Sequence, residues 1–424
     1  MLLLMSAPIP DPSSQIADLN TLLEVSRRLG ATTELTPLLE QITQAAVDVL
    51  NCERATVFLY DRVAHQLISR VATGTGEIRF SADLGIAGEC VRTGKIINVP
   101  DAYADPRFNR EIDKATGYRT RNLLTFPMKG HDGQLVGVLQ VLNRRSAPFG
   151  RREEELASTL SLLAGVAVQR QMLLDEYAAK QKLERDLALA RQIQQSLLPE
   201  ADPAACGYSI AGFNEPADAT GGDCYDYLEL PGGGIGLLIA DATGHGIGPA
   251  LVVSQCRAML RTLVAVGHDI LTAMCRVNDL VAHDLPAGMF ITMFLGVFDP
   301  ARNTIEYVSA GHGPLLLYKL ADDDAVELSA DCMPLGIVSP LEVEAPAPLL
   351  LSAGDAFLLV TDGFFEWADP AGEQFGTQRI FDIVRRHPEA SAGELITLIR
   401  ENLKSFARGT SQKDDLTAIV IKRQ

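Results

Sequence analysis

The chain has no Cys-x-x-Cys pair, and its seven cysteines (52, 90, 206, 224, 256, 275, 332) form an odd, scattered set. That pattern excludes a disulfide framework and points to reduced thiols in a cytoplasmic protein. No apolar run approaches the ~18 residues of a membrane helix. The opening Met-Leu-Leu-Leu-Met is too short for a signal-peptide core and has no basic flank. Basic stretches dense enough for nucleic acid or an anionic membrane are also missing, and the net charge is −17. Nor is there a Cys-x5-Arg phosphate loop, a Gly-x-Ser-x-Gly elbow or a Gly-x4-Gly-Lys-Ser/Thr nucleotide loop.

What is present is enough chain, 424 residues, for two domains with cores of their own. Pro- and Ser-rich residues 1–15 read as a disordered lead-in. Between 16 and 152 two helical patterns precede strand-like runs at 55–60, 67–72, 95–99, 123–128 and 135–142, separated by Gly and Asp-Gly turn signals. Residues 153–199 form a helical linker stopped by Pro199, with Leu183, Leu187, Ala190, Gln194 and Leu197 at near-heptad spacing. That spacing fits a dimeric coiled coil or an ordinary amphipathic helix packed on its own domain. From 200 to 424 strands dominate, with helical patterns at 248–265, 269–284, 377–386 and 391–406. The fold class is α+β, and the C-terminal half reads as two antiparallel sheets covered by helices.

Aspartates stand at or near the ends of apolar runs in four places. They are Asp223 after Gly-Gly, Asp241 in Ile-Ala-Asp-Ala-Thr-Gly-His-Gly, Asp362 in Leu-Val-Thr-Asp-Gly, and Asp414-Asp415 before Leu-Thr. Desolvating an anion costs several kcal/mol or more without a positive partner. Too few Lys or Arg lie in these motifs to neutralise them all. A shared divalent ion is the simplest solution, and oxygen-only ligands indicate Mg²⁺ or Mn²⁺. Two such ions make a bridging water acidic and clamp a phosphoryl group, so a phosphomonoester can be hydrolysed without a protein nucleophile. Taken singly, each aspartate also reads as a turn or capping carboxylate.

Eight motifs in order carry a family resemblance: Ala-Arg-Gln-Ile-Gln-Gln-Ser-Leu-Leu-Pro (190–199), Gly-Gly-Asp-Cys-Tyr-Asp (221–226), Asp-Ala-Thr-Gly-His-Gly-Ile-Gly-Pro-Ala (241–250), Met-Phe-Ile-Thr-Met-Phe (289–294), Ser-Ala-Gly-His-Gly-Pro (309–314), Pro-Leu-Gly (334–336), Thr-Asp-Gly-Phe-Phe-Glu (361–366) and Asp-Asp-Leu-Thr (414–417). The region resembles the SpoIIE/RsbU-type branch of the metal-dependent PPM serine/threonine protein phosphatases, which implies a PPM-type α/β sandwich. The resemblance implies that Asp241 bridges two Mn²⁺ or Mg²⁺ ions and that the carbonyl of Ala242 adds a ligand. Asp362 and Asp414 would hold one ion, and Asp223 the second, directly or through water. Asp415 and Asp226 would be supporting or structural. His245 and His312 read either as general acids or as structural imidazoles. The implied substrate is a phosphorylated anti-anti-sigma (STAS) type protein of a partner-switching pathway. Two other readings stand beside this one. The first is an inactive phosphatase-fold binding module, against which the intact aspartates argue. The second is a nucleotide cyclase, which lacks the required Glu-Phe after Gly-Gly-Asp.

The N-terminal region carries Ile-Asn-Val-Pro-Asp-Ala-Tyr-Ala-Asp-Pro-Arg-Phe (97–108), Thr-Gly-Tyr-Arg-Thr-Arg-Asn (116–122) and Asn143-Arg144…Phe149-x3-Glu153-Glu154. It is similar to the cyclic-nucleotide-binding GAF domains. By that resemblance Ile86, Ala87, Asp113, Thr116, Thr120 and Gln140 fall where relatives contact cAMP or cGMP, and Arg144 with Glu153 would form the ion pair that holds the pocket together. The other reading is a GAF domain that binds nothing and only dimerises. A homodimer through the GAF domain and the helical linker is expected.

Overall fold

The computed structural model describes residues 12–69, 78–110, 113–114, 117–230, 234–286 and 288–424. The chain divides into two compact units, 1–181 and 182–424.

In the first unit, helices α1 (Pro12–Ala31) and α2 (Leu35–Leu50) precede six antiparallel strands in the order β3-β2-β1-β6-β5-β4. These are β1 (Cys52–Asp61), β2 (Gln66–Ser69), β3 (Ile78–Ser81), β4 (Ile97–Val99), β5 (Leu123–Lys129) and β6 (Leu135–Arg144), with α3 (Gly85–Thr93) between β3 and β4. The expected lead-in is corrected at its end. Pro12–Gln15 already form the first turn of α1, where a proline costs no hydrogen bond. Residues 1–11 lie outside the described residues. One sheet face is covered by Leu22, Val25, Leu38, Leu39 and Ile42 of the first two helices and by Ala157, Leu160, Ala164 and Val168 of α4 (Arg151–Leu197). On the other, Ala87 and Cys90 of α3 pack with Phe58 and Val138. The boundary between the units falls inside α4, which is helical without interruption.

The second unit holds two five-stranded sheets. One has the order β14-β11-β10-β9-β8, from β8 (Asp223–Glu229), β9 (Ile235–Ala242), β10 (Ile291–Asp299), β11 (Thr304–Ala310) and β14 (Leu349–Leu350). The other, β13-β12-β15-β16-β7, joins β7 (Tyr208–Glu215), β12 (Leu315–Lys319), β13 (Asp324–Leu328), β15 (Ala356–Val360) and β16 (Leu416–Arg423). Strand periodicity sorts the side chains. Phe357 and Leu359 point into the core between the sheets, with Ile239, Phe294 and Ile419. Leu358 and Val360 face outward beneath α8 (Gly376–Arg386) and α9 (Ala392–Ala407). Helices α5 (Ile247–Ala265) and α6 (Ile270–Asp284) cover the other sheet. Both faces of β15 are thus apolar-covered, which is why it reads as an unbroken hydrophobic run.

Candidate metal centre and a ligand pocket

Asp223 opens β8 and stands in register with Asp241 near the end of β9. Their carboxyls are close enough for each to act on the other's ionisation. From the second sheet come Asp362, two residues past β15 and immediately ahead of the short helix α7 (Gly363–Glu366), and Asp414, two residues before β16. Each sits where a strand ends, so the backbone fixes its Cα while the side chain projects past the sheet.

Electrostatics ties the four together. Burial, then the charges of Asp241 and Asp415, raises Asp223 well above the carboxylate range. Burial, then Asp362 and Asp414, pushes Asp241 up to about 7. Burial, then Asp414 and Glu366, pushes Asp362 up to about 6. Among the described residues none of the four takes part in an ion pair; those of this unit engage Asp218, Asp226, Asp299, Glu215 and others. Nor, among the described residues, do three His, Cys, Asp or Glu side chains converge closely enough to grip an ion as they stand. Mutual repulsion spreads anions, and a divalent cation is the species that would draw them together. The donor set therefore fits a hard ion. A cradle beside it agrees: a Cβ on Gly222 would stand 2.6 Å from the carbonyl oxygen of Ala242, and one on Gly221 would stand 2.2 Å from Asp415 Oδ2.

Other polar groups brace the site. Asp415 accepts from the backbone N–H groups of Ala217 (2.8 Å) and Asp223 (3.2 Å). Asp226 binds Arg257 at 2.9 Å and Arg261 at 2.6 Å. Two partners escaped the sequence reading. Thr361 donates its hydroxyl to Asp223 Oδ2 at 2.7 Å. Gln194, in the last turns of α4, donates to Gly221 O at 2.7 Å and accepts from Gly221 N at 3.1 Å. Their only sequence signals were a Thr beside Asp362 and a Gln on the helical stripe. The two histidines differ. His245 is exposed and pairs Nδ1 with Asp218 Oδ2 at 2.8 Å. His312 is buried, 3.4 Å from Thr292 Oγ1 through Nδ1, and burial lowers it to about 4. A neutral imidazole of that kind cannot donate a proton as an acid near pH 7.

In the N-terminal unit a cavity of about 390 Å³ opens beside β1, β6 and α3. Ile86, Ala87, Asp113, Thr120 and Gln140 line it, as do Arg54, Phe58, Phe80 and Tyr118, which the sequence reading missed. Thr116 lies outside the described residues. Asp113 accepts from Thr120 N (2.7 Å), Thr120 Oγ1 (2.8 Å) and the Tyr103 hydroxyl (3.2 Å). It thereby shapes the wall. Gln140 Nε2 donates to Thr125 Oγ1 at 2.9 Å. Arg144 and Glu153 stand outside the lining and pair at 2.7 Å, tying the end of β6 to the start of α4. Buried Asn143, next to Arg144 in the chain, donates to Glu53, to the Tyr118 hydroxyl and to Arg119 O. The Arg121 guanidinium, then Asn143, holds Glu53 down to about 2.

Comparison with known proteins follows this division. Residues 231–424 match the family "Stage II sporulation protein E (SpoIIE)", and residues 34–168 match the GAF domain. Phosphoserine phosphatase RsbU of Bacillus subtilis is 27% identical over 277 residues, which cover 64% of this chain and 81% of RsbU. The dual 3',5'-cyclic-AMP and -GMP phosphodiesterase 11A of Takifugu rubripes is 29% identical over 42% of this chain, and the match spans only 21% of that protein. Among solved structures, the SiaA-PP2C domain of Pseudomonas aeruginosa aligns over 58% of this chain and 99% of its own, with a TM-score of 0.51 and 26% identity. The chain therefore carries a SpoIIE-type PPM phosphatase domain in its C-terminal unit and a GAF domain in its N-terminal unit.

Proposed function

We propose that the chain is a Mn²⁺- or Mg²⁺-dependent serine/threonine phosphatase that dephosphorylates a STAS-type protein in a partner-switching pathway, under control of its GAF domain. One observation carries the reading: the charges of Asp223, Asp241, Asp362 and Asp414 act on one another, and among the described residues none of the four has an ion-pair partner. Asp223, Asp241, Asp362, Asp414 and the Ala242 carbonyl would hold two ions, which supply Lewis acidity and a water acidic enough to attack at neutral pH. The protein's part is to fix these oxygens at strand ends and to hold the Gly221–Asp223 turn against Asp415. Likeness to RsbU supports phosphoserine as the substrate group.

The cavity of the N-terminal unit suits cAMP or cGMP. Phe58 and Phe80 offer apolar faces for a base, and the Arg54 guanidinium offers charge to a cyclic phosphate. The likeness to phosphodiesterase 11A supports this ligand class. Exposed Leu162, Val166 and Leu173 on α4, with Ile16, Leu19 and Leu23 on α1, support a homodimer through the N-terminal helices. Reduced, scattered cysteines suit the cytoplasm, and among the described residues no helix is long and apolar enough to cross a membrane.

The test is release of phosphate from a purified phosphorylated STAS protein by the full chain, with Mn²⁺ or EDTA and with or without cAMP or cGMP. Metal-dependent release altered by one nucleotide is expected. Release that EDTA leaves untouched would overturn the metal reading, and nucleotide indifference would leave the GAF domain as a dimerisation module.

A further inference from the structure

The two sheets of the C-terminal unit are joined by hydrogen bonds at the carboxylate site. Thr361 follows β15 in one sheet, whereas Asp223 opens β8 in the other. Thr361 is only 2% exposed, and its hydroxyl lies 2.7 Å from Asp223 Oδ2. The carbonyls of Asp415 and Thr417 are also near that hydroxyl, at 3.4 Å each, so the carboxylate is the acceptor that distance favours. Into the same oxygen the Thr417 N–H donates at 3.0 Å. Within its own sheet Thr361 is anchored through its backbone, its N–H donating to Thr417 O at 3.0 Å. Donor and acceptor capacities of the hydroxyl are therefore both in use.

This has a consequence for the ion. An aspartate at a strand end keeps its χ1 and χ2 freedom unless something holds the carboxylate. Here one oxygen, Oδ2, is fixed from across the sheet interface, while Asp223 stands in register with Asp241 on the neighbouring strand. Hydrogen bonds that orient a ligating carboxylate typically contribute ~10–100-fold to metal affinity.

We propose that Thr361 is a positioning residue of the metal centre, its hydroxyl fixing Asp223 across the two sheets and setting the affinity for the ion that Asp223 binds. This rests on the reading of Asp223 as a ligand. Serine preserves both hydrogen bonds, whereas valine keeps the shape of threonine and removes both. No sequence motif assigns the residue such a role, because its partner is 138 residues away in the chain.

The experiment uses the full-length protein and two readouts: Mn²⁺-induced thermal stabilisation, which requires no turnover, and hydrolysis of p-nitrophenyl phosphate across a Mn²⁺ titration. Thr361→Val should raise the half-saturating Mn²⁺ concentration by about 10–100-fold in both, with kcat at saturating Mn²⁺ far less affected. Thr361→Ser should stay close to the parent. In an Asp223→Asn background Thr361→Val should add nothing further, since the two would act through one interaction. A folded Thr361→Val protein with unchanged half-saturation overturns the proposal, and so does serine behaving like valine. Should valine prevent folding, Thr361→Cys, a much weaker donor, carries the same expectation and the same refutation. If Asp223→Asn itself leaves the Mn²⁺ response intact, the ligand reading fails, and the proposal fails with it. If Asp223→Asn weakens binding and Thr361→Val does not, the ligand reading stands and this inference alone falls.

Discussion

Around the N-terminal cavity the charged groups have partners. Asp113 accepts three hydrogen bonds, Glu53 is met by Arg121 and Asn143, and Arg144 closes on Glu153. In the C-terminal unit, Asp223 is buried and Asp241 and Asp362 are half-buried, yet the charges that act on them are other carboxylates. A carboxylate supplied with donors is part of a frame, and removing it breaks the frame. One faced by its own kind is held at an energetic cost, and a cation relieves that cost. The same residue type thus marks structure in one unit and, on the proposed reading, an ion site in the other.

The widest gap between the units should appear in catalysis. Asp241→Asn or Asp362→Asn is expected to reduce Mn²⁺-dependent phosphate release by about a thousandfold or more, since a two-ion site loses its bridge or an ion. Asp113→Asn should leave turnover at saturating Mn²⁺ within a fewfold of the parent. Steady-state kinetics on the three proteins, with circular dichroism to verify folding, checks both halves. Near-normal turnover in either C-terminal variant would break the comparison.

Acid should next separate the units by pH window. His312 is buried and lowered to about 4, against 6.5 for the exposed group. Below pH 6.5 the unfolded chain takes up a proton that the folded chain refuses, so stability is lost as the pH falls from about 6.5 to 4. The full effect is at most about 3 kcal/mol. Glu53 in the other unit is held down to about 2, so what it contributes is present above pH 4.5 and is lost only as the pH falls from there toward 2. Trp367, the single tryptophan, reports on the C-terminal unit by fluorescence. Denaturation monitored through it should weaken between pH 6.5 and 4, and His312→Gln should flatten that slope. An unchanged slope would show that His312 is solvated.

Stability at neutral pH gives a smaller contrast, of opposite sign in the two units. Asp113→Asn puts an amide N–H₂ where Thr120 needs acceptors and should cost about 1–3 kcal/mol. Asp241→Asn removes one of several repelling charges and should raise the melting temperature of the metal-free protein. Calorimetry in EDTA measures both. A fall in both variants would mean that Asp241, like Asp113, is part of a frame.

Much of this was legible in the sequence because it is local. The apolar run 355–360 reads as a strand, and Gly or Asp-Gly turns separate the strands of the first unit. The strands β7 and β8 escaped notice because Tyr-Ser-Ile-Ala-Gly-Phe-Asn-Glu and Asp-Cys-Tyr-Asp-Tyr-Leu-Glu have weak strand patterns of their own. Pairing with β16 and β9 makes them strands, a case of tertiary context overriding propensity. The acidic motifs named the carboxylates for the same local reason. Thr361, Gln194, Arg54 and Tyr118 act through contacts between distant segments, and no short motif encodes such a contact.

The smallest expected effect tests whether the two units communicate through α4. Its first half packs in the N-terminal core through Ala157, Leu160, Ala164 and Val168. Near its other end Gln194 holds Gly221, one residue short of Gly222-Asp223. Between these anchors the helix has no Gly or Pro after Gly165, so a rotation at one end reaches the other instead of being averaged away as in a flexible linker. Communication should then depend on helical phase. Inserting two residues near Ala179 rotates the downstream face by about 200°, four residues leave it roughly 40° from the original, and seven within about 20°. Of the three, the two-residue insertion should reduce the effect of nucleotide on phosphate release most and the seven-residue insertion least, by a fewfold across the series. The measurement is the ratio of rates with and without nucleotide in each protein. Equal ratios in all three would make α4 a tether, and the pocket and the carboxylate site would then be neighbours in the chain without being partners in regulation.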